Sequence, residues 1–253
     1  MLEGRKICFG YTREPVIKNV DVTFEKGKLY TIAGSNGSGK TTLIKILAGL
    51  IQSDGNLSLD GVSYSRYSKY DFAKKVAYLP QSRDIPSITV GQLVNHGRFP
   101  YLGFSRIMTP ADKEAVQKAL CMTNLENMVN KNLKNLSGGE RQRAYIAMTL
   151  AQDTDYILMD EPTTYLDIGH KFDIMELCSK ISKSGKSVIA VLHDLGLACR
   201  YSDMMMLLAN ATIYNSGTPK MLIENGDMEK VFDVECSIWE KGVSKEYLFT
   251  PKR

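Results

Sequence analysis

The fold of this chain is decided by the run Gly34-Ser35-Asn36-Gly37-Ser38-Gly39-Lys40-Thr41. An apolar segment, residues 29–33, precedes this run, and leucine and isoleucine side chains at helical spacing follow it. A glycine-rich turn between a strand and a helix points backbone N–H groups at an anion. The run therefore predicts a phosphate-binding loop, in which Lys40 reaches the β and γ phosphates, Thr41 ligates Mg²⁺ and Thr42 supports the α phosphate.

A second glycine run, Leu136-Ser137-Gly138-Gly139-Glu140-Arg141-Gln142, lies far downstream. Two adjacent glycines allow a backbone to approach a phosphate closely, while a hydroxyl group and a helix start supply hydrogen-bond donors. One nucleotide rarely needs two such surfaces from a single chain. We therefore expect two chains to share each nucleotide.

Two acidic residues follow residues 156–159, an apolar segment suited to a buried parallel strand. Asp160 is thereby placed at the carboxyl edge of a parallel sheet, where open α/β folds bind ligands, and we expect it to hold Mg²⁺ through water. Glu161 follows directly, and its position favours a role as a general base or in positioning the attacking water. An Asp-Glu pair on its own is more often a solvated turn.

Two further polar residues come after strand-like segments. His193 follows residues 188–192, which favours a contact with the γ phosphate, although a single histidine is more often structural. Gln81 follows residues 76–80, where we expect the chain to leave the core. A glutamine in a loop is normally polar surface, but here it could contact Mg²⁺ or the attacking water and couple its loop to the next segment.

Strand-like runs alternate with helical patterns along the chain. This alternation predicts an α/β fold with a mostly parallel core sheet, an N-terminal antiparallel β portion and an inserted α-helical subdomain. Thr109-Pro110 predicts a helix start within that insert. We expect a single domain, residues 1–253, with the following parts: a core with its antiparallel portion (1–82 and 136–217), a helical subdomain (83–135) and a C-terminal extension packed on the core (218–253).

Composition excludes several classes of protein. The chain has 253 residues and a net charge of +4, without a basic cluster interleaved with aromatic residues, which argues against nucleic acid as a partner. No apolar run approaches the roughly 20 residues that cross a membrane, and Met1 to Lys6 do not resemble a signal peptide. We therefore expect a cytosolic location.

Two predictions concern burial. The odd number of cysteines and the absence of a CxxC spacing argue against a disulfide framework or a zinc site, and we expect buried thiols. We also expect one face of a helix capped by Asp167 to be buried. The residues on that face are Ile168, Phe172, Met175 and Cys178.

Taken in order along the chain, these motifs resemble the ATP-binding subunit of ATP-binding cassette (ABC) transporters. The resemblance covers nearly the whole chain and implies a P-loop NTPase cassette with a RecA-like core that hydrolyses ATP with Mg²⁺. It also implies that two copies close head to tail, so that Ser137 and Gly139 of one copy face the γ phosphate lying on Gly37 to Thr42 of the other.

The same resemblance assigns roles to individual residues. Tyr11 would stack on adenine, although Phe9 competes for this role and Tyr11 could equally belong to the core. Asp167 would lie in a loop that crosses the dimer interface; Tyr165 departs from the family there, which usually has a small residue. The residues that would contact ATP are Tyr11, Gly34, Ser35, Asn36, Gly37, Ser38, Gly39, Lys40, Thr41 and Thr42, and those that would face the ATP of the partner are Ser137, Gly138, Gly139, Glu140 and Gln142. The catalytic residues would be Lys40, Gln81, Glu161 and His193. The ligands of Mg²⁺ would be Thr41, Gln81 and Asp160.

A finer resemblance is to the ATPases of iron-siderophore, haem and vitamin B12 importers, nearest to the ferric hydroxamate and ferric citrate types. The stretches that carry it are residues 75–81, 97–101, 140–144 and 191–195. It implies an integral membrane permease as partner, a substrate-binding protein as indirect partner, and a position on the cytoplasmic face of the membrane. Haem or vitamin B12 as cargo and a soluble scaffold ATPase are the alternatives; an exporter half is a weaker one, since exporters usually fuse the cassette to membrane helices.

Overall fold

The computed structural model describes residues 1–81, 84–103, 106–241 and 244–252. Its strands are β1 (Leu2–Phe9), β2 (Ile17–Phe24), β3 (Leu29–Gly34), β4 (Asp54–Leu59), β5 (Val62–Ser63), β6 (Val76–Leu79), β7 (Tyr156–Asp160), β8 (Ser187–Val191), β9 (Met204–Ala209), β10 (Thr212–Gly217), β11 (Val234–Lys241) and β12 (Ser244–Pro251). Its α-helices are α1 (Lys40–Leu47), α2 (Lys69–Ala73), α3 (Val90–His96), α4 (Pro110–Met122), α5 (Gly138–Ala151), α6 (Ile168–Lys183), α7 (Leu195–Tyr201), α8 (Pro219–Glu224) and α9 (Asp227–Phe232).

The central sheet has the strand order β10-β9-β3-β8-β7-β6. All neighbours in it are parallel except β10 and β9, which pair antiparallel. Strands β3, β7 and β8 are buried along their whole length, because helices cover both faces of a parallel sheet and continuous apolar runs suit that environment. A separate antiparallel sheet, β2-β1-β4-β5, comes from the N-terminal part. The predicted fold class is confirmed.

The segment after β6 is helical where it is described. Thr109 caps α4 and forms a capping box with Asp112, as the Thr109-Pro110 signal predicts. Helix α5 packs against both α3 and α4. In the described part of the chain, no helix is both long and apolar enough to cross a bilayer.

The C-terminal part contains more structure than its sequence indicates. Thr218 caps α8, and β11 and β12 then form an antiparallel hairpin that packs on α7. This hairpin was not predicted, because the sequence indicates for residues 218–253 only an extension packed on the core. Its inner face includes Tyr247, whose carbonyl oxygen lies near Gly196 of α7.

Two burial predictions were partly wrong. Ile168, the first residue of α6, is 74% exposed, whereas Met175 and Cys178 farther along the helix are fully buried. Cys121 is exposed and Cys8 and Cys236 are half-buried, whereas Cys178 and Cys199 are buried as predicted. The exposed thiol of Cys121 lies on the face of α4 opposite its buried residues.

Candidate active site

The phosphate-binding loop takes a conformation that only glycine allows at several positions. Gly37 and Gly39 have φ angles of 77° and 100°, in the left-handed region. A Cβ atom on Gly34 would lie 2.2 Å from the carbonyl oxygen of Leu208, so the loop can pass this close to β9 only without a side chain. The loop then leads directly into α1.

Lys40 is buried across the loop. Its Nζ donates hydrogen bonds to the carbonyl oxygens of Gly34 and Ser35, at 2.9 and 2.8 Å. Burial lowers the pKa of Lys40, while the negative charges of Glu161 and Asp160 oppose that shift. The hydroxyl of Ser38 is buried and has no hydrogen-bond partner within the described residues. A phosphate group fits this loop, because it would neutralise the ammonium and accept from the unpaired hydroxyl.

Asp160 ends β7 and is buried. Thr41 Oγ1 donates to its Oδ1 at 3.1 Å, and the Tyr78 hydroxyl donates to its Oδ2 at 3.3 Å. Burial raises the pKa of Asp160, and these two hydrogen bonds oppose the shift. The Thr41 hydroxyl and the Asp160 carboxylate thus meet as oxygen donors of the kind that Mg²⁺ prefers.

Glu161 is the centre of a hydrogen-bond network at the same edge of the sheet. Its Oε2 accepts from Gln81 Nε2 at 2.5 Å and from Thr164 Oγ1 at 2.8 Å, and its Oε1 lies 2.5 Å from His193 Nε2. Its φ angle is 51°, a strained conformation that its backbone N–H stabilises by donating to Val191. The structure therefore brings together the candidate catalytic residues Gln81, Glu161 and His193.

A cavity of about 360 Å³ opens over the phosphate-binding loop. It is lined by Val16, Asn36, Gly37, Gly39, Lys40, Thr41, Thr42, Glu161 and His193. Neither the second glycine run nor Tyr11 belongs to this lining as described. One chain therefore presents the phosphate loop and Glu161 without residues 137–139.

The second glycine run forms the N-terminus of α5. Ser137 Oγ accepts from the Glu140 N–H at 3.2 Å, and Glu140 Oε2 accepts from the Ser137 N–H at 2.8 Å, which completes a capping box. The Ser137 N–H holds the pKa of Glu140 below its usual range. Ser137 and Gly138 are exposed, and Gln142 lies one turn into the helix. The run thus offers an outward-facing helix N-terminus, a site where anions bind.

His170 is a neighbour of the second glycine run that the sequence did not reveal. It lies in the first turn of α6, where Asp167 Oδ1 accepts from its backbone N–H at 2.9 Å and Asp167 Oδ2 lies 2.7 Å from its Nδ1. The His170 backbone N–H is the main cause that lowers the pKa of Asp167. A Cβ atom on Gly139 would lie 2.0 Å from His170 Cδ2. The imidazole ring therefore packs directly on the backbone of the second glycine run, a contact that no sequence signal indicates.

Two aromatic residues project into solvent. Tyr11 is 65% exposed and meets Phe9 edge to face, with 4.9 Å between ring centroids, so it does not belong to the core. Its role in stacking on adenine stays a prediction. Tyr165 is 94% exposed in a left-handed conformation, just before the loop residue Asp167.

The chain is similar to members of one protein family. Residues 17–164 match the family model described as ABC transporter. The chain is 40% identical over 240 residues to the achromobactin transport ATP-binding protein CbrD of Dickeya dadantii, covering 94% of this chain and 89% of that protein. It is 37% identical to the ferric enterobactin transport ATP-binding protein FepC of Escherichia coli (99% and 93% covered). It is 36% identical to the iron(3+)-hydroxamate import ATP-binding protein FhuC of Bacillus subtilis (94% and 89% covered).

Solved structures share the fold. A chain from a metal-chelate type ABC transporter in an inward-facing conformation aligns with a TM-score of 0.85 at 22% identity, covering 100% of this chain and 97% of that one. The dimeric ATP-binding cassette MJ0796 bound to ADP and Pi aligns with a TM-score of 0.73 at 26% identity, covering 87% and 99%.

We predict that Glu161→Gln keeps ATP affinity and lowers the rate of ATP hydrolysis by about 10²- to 10⁴-fold, because the amide keeps the side-chain shape but accepts no proton. Hydrolysis and binding assays on the purified chain measure both quantities. Glu176→Gln, the same change at an exposed position of α6, is the control and should leave the rate unchanged. Normal turnover in Glu161→Gln would contradict the assignment of Glu161 as the base.

We predict that Gly139→Ala lowers the free energy of unfolding by about 1–3 kcal/mol, because its methyl group would overlap the His170 ring. Gly138→Ala is the matched control, since its Cβ would meet Leu166 at an ordinary 3.6 Å. Chemical denaturation measures the stabilities, and adding His170→Ala should restore most of the loss. Equal stability of the two single variants would show that His170 does not occupy this position.

Proposed function

Because the chain belongs to the ABC transporter family of ATP-binding proteins and hydrolyses ATP as such, we propose that it is the motor subunit of an importer of iron-siderophore chelates. The observation that carries the motor function is the position of Glu161, which borders the phosphate-loop cavity and is held by Gln81 and His193. A carboxylate oriented at the edge of a phosphate site is what a hydrolytic base requires.

We assign the hydrolytic roles as follows. Lys40 neutralises charge on the β and γ phosphates, and the loop amides hold the phosphates in line for attack. Glu161 accepts the proton of the attacking water, while His193 and Gln81 orient its carboxylate. Thr41, Asp160 and Gln81 would hold Mg²⁺, which would neutralise further charge on the phosphates. The protein thus acts by positioning and electrostatics, with little covalent chemistry.

ABC cassettes work as dimers, and the arrangement of this chain supports a head-to-tail pair. Residues 137–139 do not line the cavity over the phosphate loop in the described part of the chain. Ser137 and Gly138 are instead exposed at the N-terminus of α5. In the proposed dimer, Ser137 and Gly139 of one copy face the γ phosphate on the loop of the other. The partial positive charge of the α5 N-terminus then meets the phosphate.

Import ATPases act with a membrane permease, and a second surface of this chain is suited to bind it. A groove of about 740 Å³ lies between α2 and the turn after α3. It is lined by Tyr70, Lys74, Phe99, Pro100, Tyr101, Leu102, Gly103 and Arg106. Tyr70 and Phe99 expose large apolar surfaces there, and exposed aromatic patches mark protein contacts. Helix α2, which forms one wall of the groove, contacts β6, the strand that leads to Gln81, and this contact gives permease motion a route to the catalytic network.

The proposed cargo rests on the relatives. FepC is named for ferric enterobactin and FhuC for iron(3+)-hydroxamate, and each aligns with nearly the whole chain. The cargo itself would pass through the permease, delivered by a substrate-binding protein. The chain would work on the cytoplasmic face of the membrane, where ATP is available.

We predict that cells lacking this chain lose uptake of radioactive iron from ferric enterobactin, from a ferric hydroxamate, or from both. The wild-type gene should restore uptake, whereas Glu161→Gln should not, because the motor no longer turns over. Uptake of haem and vitamin B12 is measured in parallel. If haem or vitamin B12 uptake is lost while iron uptake stays intact, the cargo is that compound and not an iron-siderophore chelate.

We predict that Phe99→Glu reduces co-purification of the permease with this chain, because a charge would replace the exposed ring in the groove. Truncation of a hot-spot residue at an interface costs about 2 kcal/mol or more, which is roughly 30-fold in affinity. Ile107→Glu, at an exposed apolar position outside the groove lining, is the matched control. Undiminished co-purification of Phe99→Glu would place the permease elsewhere.

A further inference from the structure

Arg98 is a buried cation with partners on three separate parts of the chain. It follows α3 and is only 5% exposed. Its Nε donates to Asp112 Oδ1 at 2.9 Å, and its Nη1 donates to the carbonyl oxygen of Ala151 at 2.8 Å. Its guanidinium carbon lies 3.7 Å from the ring centroid of Tyr101. Hydrolysis as described above uses none of these contacts.

Each partner belongs to a different functional part. Tyr101 lines the groove assigned to the permease. Asp112 caps the first turn of α4 together with Thr109. Ala151 is the last residue of α5, whose other end carries Ser137 and Gly139. A single side chain thus touches the permease surface, the helical segment and the helix that faces the partner's ATP.

The contact between Arg98 and α5 is supported by its neighbours. A Cβ on Gly97 would lie 2.2 Å from the carbonyl oxygen of Met148, so the backbone before Arg98 rests directly on α5. The guanidinium also accommodates the negative end of the α5 dipole at its last carbonyl groups. On the other side, Gln152 Nε2 donates to the carbonyl oxygen of Ala73, at the end of α2. The C-terminal end of α5 is therefore held between both walls of the groove.

We propose that Arg98 is a positioning residue that transmits permease contact at Tyr101 to residues 137–139 through α5. This inference rests on the proposed function. The helix of 14 residues is about 21 Å long and acts as a stiff connection between the two sites. Arg98 must move with Ala151 and Asp112, because separation would leave a buried charge without its partners.

The variant Arg98→Lys distinguishes a coupling role of Arg98 from a purely structural one. A lysine at this position keeps one positive charge for Asp112 but cannot also stack flat on Tyr101 and donate to Ala151. Arg98→Lys should therefore preserve the fold and the ATP site while loosening the link to the permease surface. Stimulation of ATP hydrolysis by the permease is the quantity that reports this link.

The experiment compares the free chain with the complex that it forms with its own permease, purified from native membranes and reconstituted in lipid vesicles. ATP hydrolysis is measured for both, with the KM for ATP and the melting temperature of the free chain. For Arg98→Lys we expect stimulation by the permease to fall by about 2- to 30-fold, with rate and KM of the free chain unchanged. Its melting temperature should fall by only a few degrees, because the buried carbonyl oxygen of Ala151 loses its donor. Lys118→Gln, which breaks an exposed ion pair with Glu114 on α4, is the control and should keep full stimulation.

Three results would overturn the proposal. Full stimulation of the Arg98→Lys complex would show that Arg98 transmits nothing, and an equal loss of activity in the free chain would show a merely structural role. A wild-type complex without any stimulation would overturn the motor function as well, which distinguishes that failure from the other two. If Arg98→Lys unfolds near the assay temperature, the double variant Arg98→Met/Asp112→Asn replaces it, because it removes both buried charges. Stimulation by the permease and the rate of the free chain are then measured on this double variant, with the same expected and contradicting results.

Discussion

The parallel register of β6, β7 and β8 determines where three of the four candidate catalytic residues lie, namely Gln81, Glu161 and His193. Leu79 pairs with Met159, and Asp160 pairs with Val191. Gln81, Glu161 and His193 each follow one of these strands by one or two residues, so their side chains emerge at the same edge. A shift of one residue in any strand would move its polar residue to the other face of the sheet and dissolve the network around Glu161.

Lys40 and Asp160 are buried charges at this edge of the sheet, and a bound ligand would supply the opposite charges that they need. Burial lowers the pKa of Lys40 and raises that of Asp160, which means that each charge lacks full compensation within the chain. A bound triphosphate would restore the balance by approaching the ammonium, and Mg²⁺ would do the same for the carboxylate. Part of the free energy of ligand binding therefore comes from relieving the unfavourable burial of these two charges. The same burial lowers the stability of the free protein.

Residues adjacent to a strand could be located from the sequence, whereas contacts between distant helices could not. The phosphate loop, Asp160 and Glu161 follow apolar runs, and the sheet geometry then determines their position. Gln81 was placed in the same way, although its hydrogen bond to Glu161 depends on how β6 pairs with β7. The contact of His170 with Gly139 and that of Arg98 with Ala151 arise where α6 and α3 pack against α5. Such packing depends on side-chain shape across long sequence separations, and no short pattern encodes it.

Helix α5 carries both of these helix contacts, one at each of its ends. Its N-terminus is held by the His170 ring and by its own capping box, and its C-terminus is held by Arg98 and, one residue beyond, by Gln152. Between its ends the helix is packed in the core: Ala144, Ile146 and Ala147 are fully buried, and α3 and α4 lie against it. A helix that is packed along its length and held at both ends moves as a rigid unit together with the elements that pack on it. That property suits an element that must present its N-terminus to a phosphate on another chain and respond to a partner at its opposite end.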